Sequence, residues 1–121
     1  MNVCKEAKEA RYPLASISNR MASLHRQYFG KGPMHTKTYA LDDIVVCLLR
    51  GGETPVEHML RVGGRAEDIR SARVDLLQGP ARNMLRAAIE ELTGRRMEAL
   101  VTGHSEDPDI TMLTFVLEHE R

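Results

Sequence analysis

The longest uninterrupted apolar run in the chain is Ile44-Val45-Val46-Cys47-Leu48-Leu49, which follows Asp42-Asp43 and closes on Arg50-Gly51-Gly52. Successive side chains of a strand point to opposite faces. A run that is apolar at every position therefore describes a strand covered on both sides rather than one that alternates between core and water. The six residues fall far short of the roughly 18 to 20 needed to cross a bilayer, so no transmembrane helix is expected. Thr36 to Leu41 read as a partner strand and Asp42-Asp43 as a tight turn, which makes the run the inner arm of a hairpin inside a sheet.

Upstream, Leu14, Ile17, Met21, Leu24 and Tyr28 step by 3, 4, 3 and 4, the a/d stripe of one helix face. Pro13 suits the first turn of that helix and Gly30 its stop. A seam this narrow can pair with a helix of a second copy or lie on the sheet, and two heptads are too few for a coiled coil. These five residues are the expected dimer or partner contact. Downstream, Thr54-Pro55-Val56-Glu57 combines an N-cap threonine, a proline at the first helical position and a glutamate at the third. Gly63-Gly64 keeps that helix short. A second helical pattern runs from Ala66 to about Leu92 through Ile69, Ala72, Leu76, Leu77, Met84, Leu85, Ala88, Ile89 and Leu92, with a kink or break expected at Gln78-Gly79-Pro80. Arg95 to Gly103 and Asp109 to Glu118 return to a period of two, joined by Ser105-Glu106-Asp107-Pro108. The expected order is α-β-β-α-α-β-β. It describes a single α+β domain over residues 13–121, with a four-stranded, mainly antiparallel sheet packed by helices, behind a polar N-terminal tail at 1–12.

Leu, Ile, Val and Phe supply 28 of 121 residues, above the roughly 20% below which high charge argues for disorder. The net charge of +0 divides into +5 for residues 1–40 and −5 for residues 41–121. Such a split can steer the basic portion onto the acidic surface of a second copy or onto an anionic partner, or it can cancel locally after folding. Met1 to Arg11 lack the apolar stretch of a secretory signal, so a cytoplasmic location is expected. Cys4 in the tail and Cys47 in the apolar run fit a reducing compartment and form no disulfide framework.

Chemistry-bearing patterns are sparse. Gly30-Lys31-Gly32-Pro33 with Lys37-Thr38 lacks the glycine spacing of a phosphate loop, and it follows a helix instead of a strand. Lys31, His35 and Lys37 are the candidate contact for an anion; the alternative is a helix cap and turn. His25, His35, His58, His104, His119 and the two cysteines show no metal-ligand spacing, so neither a metal nor a cofactor is expected. His104 to Asp109 form an acidic turn. Cys47 in an apolar strand is expected to be inert. Asp42-Asp43 and Glu90-Glu91 cannot converge as acid/base pairs, and Ser16, Ser18 and Ser105 lack a nucleophile setting. No catalytic residue is expected. Arg61, Arg65, Arg70, Arg73, Arg82 and Arg86 could touch phosphates, but with little aromatic surface they read as a solvated face pairing with Glu67, Asp68 and Glu90, not as a nucleic-acid interface.

Several strings stand in order along the chain: Ile17-Ser18-Asn19 to Leu24-His25, Tyr28-Phe29-Gly30-Lys31-Gly32-Pro33, Lys37-Thr38-Tyr39, and Asp43-Ile44-Val45-Val46. They continue with Thr54-Pro55-Val56-Glu57, Glu90-Glu91-Leu92-Thr93-Gly94-Arg95, Asp107-Pro108-Asp109 and Phe115-Val116-Leu117-Glu118. Over about residues 15–118 the chain resembles the YbcI-like proteins, whose domain is also labelled MpsC after a sodium-translocating, membrane-potential-generating system. The matching positions are Gly30, Lys31, Gly32, Pro33, Lys37, Thr38, Thr54, Glu57, Gly94 and Asp109. Leu41-Asp42 and Gly51-Gly52-Glu53 depart from the family's usual turns. The resemblance implies a soluble accessory component beside a membrane system that moves cations or inorganic carbon, with no assigned active site. The expectation is a non-enzymatic cytoplasmic accessory protein, a homodimer with a membrane-protein partner and no membrane insertion of its own. A small anion-sensing or ligand-sensing regulator is the alternative, and nucleic-acid binding ranks below both.

Overall fold

The structure, a computed structural model, describes residues 12–119. Residues 1–11 of the expected tail at 1–12, Cys4 included, lie outside the described residues. Eight elements follow one another: α1 (Leu14–Phe29), β1 (His35–Leu41), β2 (Ile44–Arg50), α2 (Pro55–Val62), α3 (Ala66–Gln78), α4 (Arg82–Thr93), β3 (Met97–Glu106) and β4 (Asp109–Leu117). Gly79-Pro80 breaks the long helical pattern into α3 and α4, because proline can neither donate to nor fit inside a continuing helix. α1 ends at Gly30, whose φ of +81° is left-handed and whose N–H caps the Arg26 carbonyl. Tyr12 is not part of a free tail. It is buried, and its hydroxyl donates to the Asp42 carbonyl at 2.6 Å.

The strands form one antiparallel sheet in the order β1-β2-β4-β3. The six-residue apolar run is β2, and it lies inside the sheet between β1 and β4, as its composition requires. It is not covered on both sides. Val45, Cys47 and Leu49 are buried beneath the helices, whereas Ile44, Val46 and Leu48 point to the other face and stay partly exposed. The helices pack on one face only, α1 over β1 and β2 and α3 over β3. Phe115, Leu113 and Leu117 of β4 join Val45, Cys47 and Leu49 against Ile17, Met21, Leu85 and Ile89 in that single core. Burial pushes the Cys47 thiol up to about 11, which leaves it protonated and inert.

The a/d stripe of α1 also departs from its expected role. Ile17, Met21 and Leu24 are buried against the sheet of the same chain, and Leu14 and Tyr28 pack at the margin of that core. A half-covered sheet needs an apolar helix face, and the stripe supplies it, so it offers no seam to a second copy. Leu24→Glu would place an unpartnered carboxylate in this core. Urea denaturation should show a loss of roughly 3 kcal/mol or more; a loss below about 1 kcal/mol would contradict the burial of the stripe.

Candidate functional site

The largest fully buried side chain is an arginine. On α3 the buried positions are Ile69, Arg73 and Leu77, spaced i, i+4 and i+8, so Arg73 occupies the middle of the core-facing stripe. It is not on a solvated face. Among its neighbours in sequence, Arg70 pairs with Glu67 at 2.8 Å and Arg65 with Asp68, as an exposed face would. Arg73 turns inward instead. A guanidinium has five N–H donors and no acceptor, and here every donor is used. Nε donates to Glu57 Oε2 at 2.7 Å and Nη2 to Glu57 Oε1 at 2.8 Å, a bidentate pair. Nη2 also donates to the Gly52 carbonyl at 3.1 Å, and Nη1 to His25 Nε2 at 2.8 Å and Thr111 Oγ1 at 3.2 Å. The Phe29 ring lies 4.1 Å from the guanidinium carbon, adding a cation–π contact.

The partners are fixed in turn. Because arginine can only donate, His25 Nε2 must accept, which puts the proton on Nδ1; that N–H donates to the Lys31 carbonyl at 2.6 Å. Thr111 Oγ1 also meets His104 Nδ1 at 2.9 Å. Glu57 closes the capping box of α2, with its Oε1 accepting from the Thr54 N–H at 3.0 Å while the Thr54 hydroxyl accepts from the Glu57 N–H at 3.2 Å. Gly52 is required by both space and backbone. Its φ is +92°, and a Cβ there would meet His25 Cε1 at 2.8 Å.

Electrostatics follow from this closure. Burial, then the Arg73 charge, pushes the His25 imidazole from its ordinary 6.5 down to about 4. Burial and Arg73 also lower His104. Burial works to raise the Glu57 carboxyl, but the Arg73 hydrogen bonds and the Thr54 N–H outweigh it and hold the group below its ordinary value. Asp109 moves the other way, raised by burial. A guanidinium with no spare donor beside a neutral imidazole acts as a lock between elements. It ties α1, the β2–α2 loop, α2, α3 and β4 together at one point. Among the described residues no group of three His, Cys, Asp or Glu could hold a metal ion.

The lock dictates the posture of α2. Glu57 faces inward to Arg73, and Arg61 folds back onto Glu53 at 2.7 Å. Val56, Met59 and Val62, at i, i+3 and i+6 on the opposite side, are 67%, 73% and 70% exposed. No residue of α2 is buried. The helix is inverted relative to an ordinary surface helix, with its polar face inward and its apolar face toward water.

The second exposed apolar area is the outer face of the sheet. Register aligns Leu41, Ile44, Val116 and Ala99 in one row across the four strands and Tyr39, Val46, Thr114 and Val101 in the next. Lys37, Leu48, Met112 and Gly103 follow, then His35, Arg50, Ile110 and Ser105. Of the three residues expected to gather around an anion, His35 and Lys37 stand exposed on the outer side of β1, while Lys31 is exposed in the loop after α1. Arg50, which sequence reasoning did not select, lies directly across from His35.

A family model described as Na+-translocating membrane potential-generating system (MpsC) matches residues 14–119. The chain belongs to the MpsC family. The matched span takes in all eight elements, so the MpsC domain and this α+β fold coincide. No curated protein and no solved structure matches the chain. Among the described residues no helix is long and apolar enough to cross a membrane, so this MpsC domain as described carries no helical span of its own. Thr54, Glu57 and Asp109, positions where the sequence resembles the family, all fall in or beside the arginine network.

That network makes stability depend on pH. The unfolded chain protonates His25 near 6.5, whereas the folded chain resists until about 4. The unfolded state thus binds more protons in that window, and this contribution is fully present above pH 6.5 and lost as pH falls toward 4. Its full size is on the order of 3 kcal/mol. Lowered His104 and, at more acid pH, lowered Glu57 act in the same direction; raised Asp109 opposes them. Urea denaturation from about pH 7.5 to 4.5 should show this decline, with a shallower slope in His25→Gln. A slope unaltered by that substitution would remove His25 from the account.

Proposed function

We propose that this chain is a non-enzymatic, cytoplasmic accessory component of a Na+-translocating membrane-potential-generating system, working as a homodimer and docking to its membrane partner from the water side through α2. The observation that carries this reading is the inverted helix. A helix of eight residues gains little from its own hydrogen bonds. This one exposes Val56, Met59 and Val62 in a single stripe while its polar side is held inward. A short apolar stripe containing a flexible methionine suits insertion into a groove on another protein, where i, i+3 and i+6 positions serve as anchors. The family description supplies the kind of system, and the membrane component supplies the groove.

Affinity purification of the full chain from its native host, membrane fraction included, tests the reading. Wild-type protein should recover a cation-translocating membrane protein. Met59→Glu should melt like wild type, because the side chain is solvent-exposed, yet fail to recover it. Recovery of the chain without a membrane protein would contradict the proposal, as would equal recovery by Met59→Glu.

A further inference from the structure

We infer that the outer face of the sheet is occupied by a second copy of this chain, packed face to face across a two-fold axis. The inference rests on the reading of the protein as a homodimer and names the surface. Its first support is the pattern of the rows. Two complete rows across the four strands, those of Leu41 and of Tyr39, contain no charged residue, and Leu48 and Met112 extend them into a third. A sheet that is apolar on both faces is ordinarily sandwiched. Helices fill the inner side here, and a flat apolar outer side is self-complementary to another of its kind.

Charge at the corners sets the symmetry. His35, Lys37 and Arg50 form a basic corner at one end of β1 and β2, and among the described residues none has a carboxylate within ion-pair distance. Diagonally opposite, at the bulge where β3 begins, Glu98 is exposed and likewise has no ion pair among the described residues. A two-fold axis lying in the interface along the other diagonal brings the basic corner of each copy toward Glu98 of its partner, forming both pairs at once. The strands of the two sheets then cross near a right angle, one of the two ordinary modes of sheet packing.

The size of the face sets the strength. Four strands about 4.8 Å apart and some seven residues long at about 3.3 Å each give a flat footprint of about 400 Å², against about 800 Å² per partner in a standard interface. A face this small is expected to give a weak dimer in exchange with the monomer. A membrane partner would have no reason to match the diagonal alternation of charge, whereas a second copy matches it by construction.

Sedimentation equilibrium of the full chain from about 1 to 200 μM should show a monomer–dimer equilibrium. Tyr39→Lys and Val101→Lys, both on exposed edge-strand positions, should keep the wild-type melt and sediment as monomers. Lys37→Glu and Glu98→Lys should each weaken the dimer by about tenfold, and the double variant should restore it. A monomer throughout the range would overturn both this inference and the homodimer reading. A dimer that survives Tyr39→Lys and Val101→Lys would overturn the inference alone, and failure of the charge swap to restore affinity would overturn the diagonal pairing.

Discussion

The saturated guanidinium of Arg73 fixes where α1, the β2–α2 loop, α2, α3 and β4 meet. Five donors meet five acceptors drawn from the C-terminal part of α1, the start of β4, the β2–α2 loop and α2, all within 3.2 Å. A buried ion pair is not in itself a source of stability, since desolvation offsets much of its attraction. Its value lies in geometry: a buried charge with any donor unmet is costly, so the elements that carry its acceptors have one arrangement in which all are satisfied. The sheet and the apolar core would tolerate several positions for α2. Arg73 and Glu57 tolerate one.

That choice has a consequence on the outside of the molecule. Most surface helices are held by their apolar faces, which are thereby consumed. α2 is held by a carboxylate and a capping box, so its valine and methionine side chains remain available. The one-sided coverage of the sheet leaves a second apolar area, flat rather than ridged, on the far side of the domain. A ridge suited to a groove and a plane suited to another plane are different kinds of surface. The proposed self-pairing and the proposed docking to a membrane partner therefore draw on different surfaces.

Much of the architecture was legible in the sequence because the signals were local. The capping box at Thr54-Pro55-Val56-Glu57, the break at Gly79-Pro80 and the alternation of β4 each follow from a few adjacent residues. The six-residue apolar run puts β2 inside the sheet but does not state how many of its faces are covered. Two apolar faces of a strand can mean one covered face and one exposed face as well as two covered ones. The a/d stripe of α1 marks an apolar helix face, yet such a stripe does not state whether its partner is another helix or the chain's own sheet. Arg73 was missed for a different reason. Arginine is usually exposed, and its neighbour Arg65 is; only the spacing Ile69, Arg73, Leu77 puts Arg73 on the buried side, and its acceptors come from segments 16 to 48 residues away. Such a network is set by tertiary structure, and no local pattern announces it.

Amide hydrogen exchange on the full chain, comparing wild type with Glu57→Gln, tests the central claim most directly. Glutamine at this position can still complete a capping box but cannot form the charged bidentate pair with Arg73. If the pair holds α2, protection of the α2 amides from His58 to Val62 should collapse while that of β2 and β4 persists. Unchanged protection of α2 in Glu57→Gln would contradict the account.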